Sequence, residues 1–169
     1  NRFSALAPVH SRQNELGFKW LVGEQISAIV TGFDLSKADA GLGADNRFDY
    51  IGTVRNRGVE ASLSGAINDQ WNIVAGAMRM KPKLSGENAS RGLIGDQPVG
   101  RSTEIGLLSV SYAQTPGAWG ADASLNYFGR RPANAANTRY TGGNSTLNVG
   151  LRYPFKWGDT PAQWRIRMF

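Results

Sequence analysis

The stretch Leu108-Ser109-Val110-Ser111-Tyr112-Ala113-Gln114-Thr115-Pro116-Gly117-Ala118-Trp119-Gly120-Ala121-Asp122-Ala123-Ser124-Leu125-Asn126-Tyr127 decides the fold. Before its Pro-Gly turn, Leu108, Val110 and Tyr112 alternate with Ser109 and Ser111. After the turn, Trp119, Ala121, Ala123, Leu125 and Tyr127 alternate with Gly120, Asp122, Ser124 and Asn126. Period two on both sides of a turn is the mark of an antiparallel hairpin with one apolar face and one polar face.

The same pattern extends in both directions. Leu16, Phe18, Trp20 and Val22 share one parity, and after a turn at 23–25 the return strand Ile26–Leu35 sets Ile29, Thr31, Phe33 and Leu35 against Gly32 and Asp34. A third strand is expected over Tyr50–Ile67 and a fourth over Trp71–Met80, joined by the turn Asn68-Asp69-Gln70. Toward the C-terminus, Leu147, Val149, Leu151, Tyr153 and Phe155 precede a turn and then Trp164, Ile166 and Met168. About eight antiparallel strands are predicted, in an all-β, up-and-down order.

The connections narrow the architecture. Short ones, around 23–25, 68–70, 114–118 and 156–163, alternate with long ones, around 36–49, 81–101 and 129–143. All five tryptophans, Trp20, Trp71, Trp119, Trp157 and Trp164, lie near short connections. In an antiparallel meander this gathers the indoles at one end and the long loops at the other. Outer-membrane barrels have this asymmetry, with short periplasmic turns, long extracellular loops and aromatic girdles at the lipid boundary. A soluble β-sandwich, as in a carbohydrate-binding or adhesin module, is the alternative; it would bury these aromatics or use them as stacking platforms. The barrel reading expects Phe18, Trp20, Val110, Leu125, Val149 and Ile166 to face lipid. It expects Asp34, Glu60, Asp122 and Arg152 to face the lumen.

Composition excludes several functions. The chain has 169 residues, no cysteine and a single histidine, His10, so thiolate chemistry, a His-based triad and a multi-histidine metal site are out. The net charge of +6 comes from Lys and Arg scattered singly, with Arg130-Arg131 the densest pair, which does not suit nucleic-acid binding. No clustered titratable set suggests an enzyme, and no cofactor motif is present. No apolar run reaches the roughly 20 residues of a transmembrane helix, and Asn1–Arg12 lacks the apolar core of a signal peptide.

Several segments in register resemble one family. Arg57-Gly58-Val59-Glu60 is similar to the RGVE segment of TonB-dependent siderophore receptors, and Ser11–Trp20 to the S-x-Q-x-E-x-G-x-K-W strand before it. Trp71–Ala77, Tyr127–Arg131 with Ala135-Ala136-Asn137, and Trp164–Arg167 resemble later barrel segments of that family. The resemblance implies that residues 1–169 are part of a TonB-dependent receptor barrel in the bacterial outer membrane. It implies ferric siderophore uptake, contact with outer-membrane lipid and lipopolysaccharide, and a TonB partner engaged through a plug domain that this chain lacks. Phe169 shares parity with Arg165 and Arg167 rather than with apolar residues, so the last barrel strand is also expected to lie outside the chain. Aromatic and guanidinium groups at the long-loop end suit a chelate of Fe(III). The candidates are Phe48, Tyr50, Arg130, Arg131 and Tyr140. None is expected to ligate iron, which the siderophore already saturates.

Overall fold

In a computed structural model, the described residues 8–42, 48–115 and 118–169 form ten strands and one helical turn. The strands are β1 (Ser11–Val22), β2 (Ile26–Leu42), β3 (Phe48–Ala66), β4 (Trp71–Ser85), β5 (Glu104–Ala113), β6 (Gly120–Phe128), β7 (Arg131–Pro132), β8 (Tyr140–Thr141), β9 (Asn144–Trp157) and β10 (Thr160–Met168). The helical turn, α1, spans Glu87–Ser90. Eight strands form one antiparallel sheet in the order β1-β2-β3-β4-β5-β6-β9-β10, and β7 pairs with β8 in a small hairpin of its own. No strand crosses over another, as the alternation of short and long connections requires.

Local chemistry explains the turns. Between β3 and β4 the Asn68 side chain accepts hydrogen bonds from the Gln70 and Trp71 amides at 2.9 and 3.0 Å, a carbonyl-mimicking Asx turn. Between β9 and β10 only Gly158 and Asp159 remain unpaired, and Gly158 takes φ 60°, where a side chain would be strained. The expected loop at 156–163 therefore shrinks to two residues. Pro161 is the second residue of β10, opposite Lys156 and next to the turn. Residues 116 and 117 of the expected 114–118 turn lie outside the described residues.

Register assigns the faces. Phe18, Val30, Ala61, Ala77, Gly106, Tyr127 and Ser145 stand side by side across the sheet, and every second residue along each strand joins them. This outward face carries Leu16, Phe18, Trp20, Val59, Leu63, Leu108, Val110, Leu125, Val149, Leu151 and Ile166. All five tryptophans share its parity and lie at the short-turn end. Tyr112 sits between Trp71 and Trp119 at centroid distances of 4.9 and 5.1 Å, and Trp164 meets Phe155 at 6.1 Å. These rings form an aromatic girdle. From Trp71 to Arg79 on β4 is about 26 Å of strand at ~3.3 Å per residue, or about 20 Å along the normal at a ~40° tilt. That is close to the height of an apolar belt.

Two expectations are corrected. Strands β2, β3 and β4 run 17, 19 and 15 residues, well past the 9–11 or so that a crossing needs. The loops expected at 36–49 and 81–101 are therefore partly strand; residues 43–47 of the first lie outside the described residues, and the second begins only after Ser85. Period-two hydrophobicity fades there because these strand ends rise above the belt, where the outward face is polar. Asp34 is also reversed: it pairs in register with Arg57 on the outward face, while Phe33 and Leu35 point inward. Glu60, Asp122 and Arg152 keep the expected inward parity.

We expect Val149→Lys to lower the membrane-inserted fraction of the intact protein much more than Asn148→Lys. A lysine at mid-membrane on the lipid face costs about 2–4 kcal/mol, whereas Asn148 points inward and donates to the Ser124 hydroxyl. Heat-modifiable gel mobility reads the folded fraction, and equal losses would reject the facing.

Candidate functional site

The inward face is unlike the outward one at its long-loop end. Here the β4–β5 connection folds over the sheet: the Met80 amide donates to the Thr103 carbonyl at 2.8 Å and the Leu84 amide to the Asp96 carbonyl at 2.6 Å. Beneath it Val54, Asn56, Met80 and Leu84, all of inward parity, are buried. Along β4 the alternation is complete, with Met80, Pro82 and Leu84 buried and Arg79, Lys81 and Lys83 exposed.

A second loop is stitched to the first. The Gly95 and Gly100 amides donate to the Ala135 and Pro132 carbonyls at 2.7 and 2.9 Å, and the Ser102 hydroxyl donates to the Gly129 carbonyl at 2.9 Å. Asn137 is the clasp: its side chain accepts from the Gln97 amide at 2.8 Å and donates to the Gln97 carbonyl at 2.9 Å. It does so at φ 53°, the left-handed region that asparagine tolerates better than other side chains. The two loops thus form one layer over the sheet.

Between this layer and the sheet is a hollow of about 530 Å³, lined by Gln13, Glu15, Phe33, Leu35, Asn56, Glu60, Met78, Met80, Gly100, Arg101, Ser102, Ile105, Phe128 and Arg131. Its walls are apolar and aromatic, with two guanidinium groups and two carboxylates at the edges. Gly58 is part of its construction. A Cβ there would stand 2.7 Å from Phe33 Cζ and 2.9 Å from Met80 Cβ, so the missing side chain lets Phe33 lie across β3. Asn56 is 3% exposed, and its Oδ1 has no donor among the described residues. A buried acceptor facing a cavity favours a partner that brings an N–H or O–H.

The sequence candidates separate into two groups. Arg131 lines the hollow. Arg130 lies over the Tyr140 ring at 3.9 Å, a cation–π contact on the opposite side of the β7–β8 hairpin from Arg131. Phe48 and Tyr50 are elsewhere. A bulge between Asp39 and Ala40 pairs Tyr50 with Ala40 and Phe48 with Leu42, which moves both onto the outward face. Ile51 confirms the shift, since a Cβ on inward-facing Gly41 would meet Ile51 Cδ1 at 2.9 Å. Sequence reading missed Phe33, Asn56, Met78, Met80, Arg101 and Phe128. The alternation Met80-Lys81-Pro82-Lys83-Leu84 is the signal that could have revealed part of this set. Among the described residues no three His, Cys, Asp or Glu side chains gather as metal ligands.

The family model for the TonB dependent receptor-like β-barrel matches residues 1–168. The chain is 28% identical over 163 residues to the ferrichrome receptor FcuA of Yersinia enterocolitica, covering 95% of this chain and 21% of that protein. It superposes on BauA, the ferric preacinetobactin receptor of Acinetobacter baumannii, with TM-score 0.75 and 25% identity over 93% of this chain and 24% of that one. The ferric yersiniabactin uptake receptor FyuA of Yersinia pestis shares the fold at TM-score 0.70 and 16% identity, over 95% of this chain and 30% of that one. This chain spans about a fifth to a third of the length of these relatives.

The clasp is testable. Replacing Asn137 by Ala removes both hydrogen bonds to Gln97, roughly 2 kcal/mol at about 1 kcal/mol each. Hydrogen–deuterium exchange of residues 95–102 should accelerate about 30-fold, while β9 keeps its protection. Unchanged exchange at Gln97 would show that the loops hold together without Asn137.

Proposed function

The chain belongs to the TonB dependent receptor-like β-barrel family, and on that premise we propose that it is a segment of a longer outer-membrane receptor that imports ferric siderophores. The family is one of transport receptors. One observation carries the reading to this segment: two loops clasped over the inward face border an open hollow lined by aromatic, thioether, guanidinium and carboxylate groups. It lies at the end opposite the aromatic girdle, where cargo arrives from outside the cell. Arg131 and Arg101 suit the anionic or oxygen-rich periphery of a chelate, and Phe33, Phe128 and the two methionines suit its apolar parts. Arg130 and Tyr140 act as a pair that braces the hairpin carrying Arg131. Phe48 and Tyr50, facing outward, belong to the outer surface rather than to the cargo path.

The remaining partners follow from the same premise. The apolar belt meets lipid, with lipopolysaccharide in the outer leaflet. TonB supplies energy through a plug domain elsewhere in the receptor. No step asks for bond making at a protein side chain, so the role is transport rather than catalysis.

Deleting the gene for the full receptor in an iron-starved strain, with no redundant receptor, should abolish growth and radiolabelled-iron uptake on one siderophore among a set supplied singly. Unchanged uptake on all of them would overturn the import role. In the intact receptor, Arg131→Ala should raise the half-saturating siderophore concentration about tenfold, as expected for a lost charge-assisted hydrogen bond. Phe48→Ala should leave that concentration unchanged.

A further inference from the structure

The inward face changes charge between its two ends. At the long-loop end Glu15 and Glu60 stand with Arg101 and Arg131 around the hollow. At the short-turn end, the inward positions of β5, β6, β9 and β10 carry Arg152, Lys156, Arg165 and Arg167, with Asp122 the one carboxylate among them. Register pairs Arg152 directly with Arg165 and sets Arg167 opposite Gly150. From Lys156 to the level of Gly150 and Arg167 is about 20 Å at ~3.3 Å per residue. Like charges directly opposite each other in a sheet repel, and a glycine gives one of this pair a way out. A Cβ on Gly120 would stand 2.6 Å from Arg152 Nε and 3.1 Å from its Nη2, so the guanidinium lies across β6, away from Arg165. Asp122 in turn lies against Gly150, with Oδ1 2.6 Å from where a Cβ would be. All five residues are exposed, and none forms an ion pair among the described residues.

We infer that this ladder of cations is a second, weaker anion site on the import path, which takes the negatively charged oxygens of an Fe(III) chelate on its way from the hollow to the periplasm. Three observations point to a passing anion. The four cations follow one another along the strand direction, so they line a route instead of surrounding one point. Fixed positive charge without a fixed counter-charge concentrates anions at a confined wall, and exposed guanidinium forks present paired N–H groups to carboxylate or phenolate oxygens. Between the hollow and the ladder the wall of β5, β6 and β9 is uncharged: it carries Ser109, Ser124, Asn126 and Asn148, the last donating to the Ser124 hydroxyl at 3.2 Å. The next strong attraction for an anion leaving the hollow is therefore the ladder. This site presupposes the import reading and adds that the cargo is an Fe(III) chelate of net negative charge.

The test titrates the intact receptor in detergent by calorimetry, with a trianionic ferric tricatecholate and a neutral ferric trihydroxamate of similar size as probes. The wild type should show a weak binding event for the tricatecholate that fades as salt rises and that the trihydroxamate does not produce. The double variant R165Q/R167Q should weaken this event about tenfold, as for a lost charge-assisted hydrogen bond, while keeping its heat-modifiable fold. R165K/R167K, which retains the charge, should keep the event, and R79Q, on the outward face, should leave it unchanged. An event of equal strength in R165Q/R167Q, one shared equally by the neutral chelate, or none in the wild type would each overturn the inference. Absence in the wild type together with a lower melting temperature of R165Q/R167Q would assign the arginines to acidic side chains elsewhere in the receptor. Siderophore uptake by the same variants separates the two readings: normal uptake without the weak event sinks only this inference, and the weak event without uptake of any siderophore sinks only the import role.

Discussion

A strand that crosses hydrocarbon has no water to satisfy its amides, so each backbone N–H and C=O must find a partner on a neighbouring strand. The rest of this structure depends on that requirement. It forces continuous antiparallel pairing across the eight strands β1–β6, β9 and β10 with no crossover. Once register is set, parity decides the environment of every side chain. A single register shift is therefore enough to turn a side chain from one face to the other, as the bulge opposite Asp39 and Ala40 does for Tyr50 and Phe48.

The segment Arg57-Gly58-Val59-Glu60 shows how this parity is used. Arg57 points outward to Asp34, and Val59 tops the belt beside it. Gly58 and Glu60 point inward, where Gly58 yields space to Phe33 and Glu60 lines the hollow. Four consecutive residues thus serve two surfaces that meet different solvents. The same division appears in β4, where buried Met80, Pro82 and Leu84 support the loop layer while Arg79, Lys81 and Lys83 face outward.

The loops are ordered by polar contacts rather than by a large apolar core. Few side chains are buried among the described residues: Val54, Asn56, Met80 and Leu84 lie under the β4–β5 connection, Pro132 belongs to the β7–β8 hairpin and Ala28 to β2. Asn137, Ser102 and the backbone amides of Gly95 and Gly100 hold two loops that belong to different hairpins. Such bonds are individually modest. Together they hold the two loops as one layer over the inward face.

Within the belt, the amino-acid sequence alone determined the architecture. Phe18, Trp20, Val110, Leu125, Val149 and Ile166 alternate with polar neighbours because one face meets lipid and the other does not, and that contrast writes itself as period two. The turns at Gly23, Asn68 and Gly158 and the gathering of tryptophans at one end were legible for the same reason. Above the belt the contrast disappears: both faces are polar in places, and one is covered by loops drawn from elsewhere in the chain. There only the tertiary structure decided that Asp34 faces outward, that Phe48 and Tyr50 lie away from the hollow while Arg131 lines it, and that Asn56, Met80 and Arg101 share one cavity. These outcomes depend on a bulge and on contacts between residues as much as 40 positions apart, such as Asn137 with Gln97, and no local pattern of hydrophobicity records either.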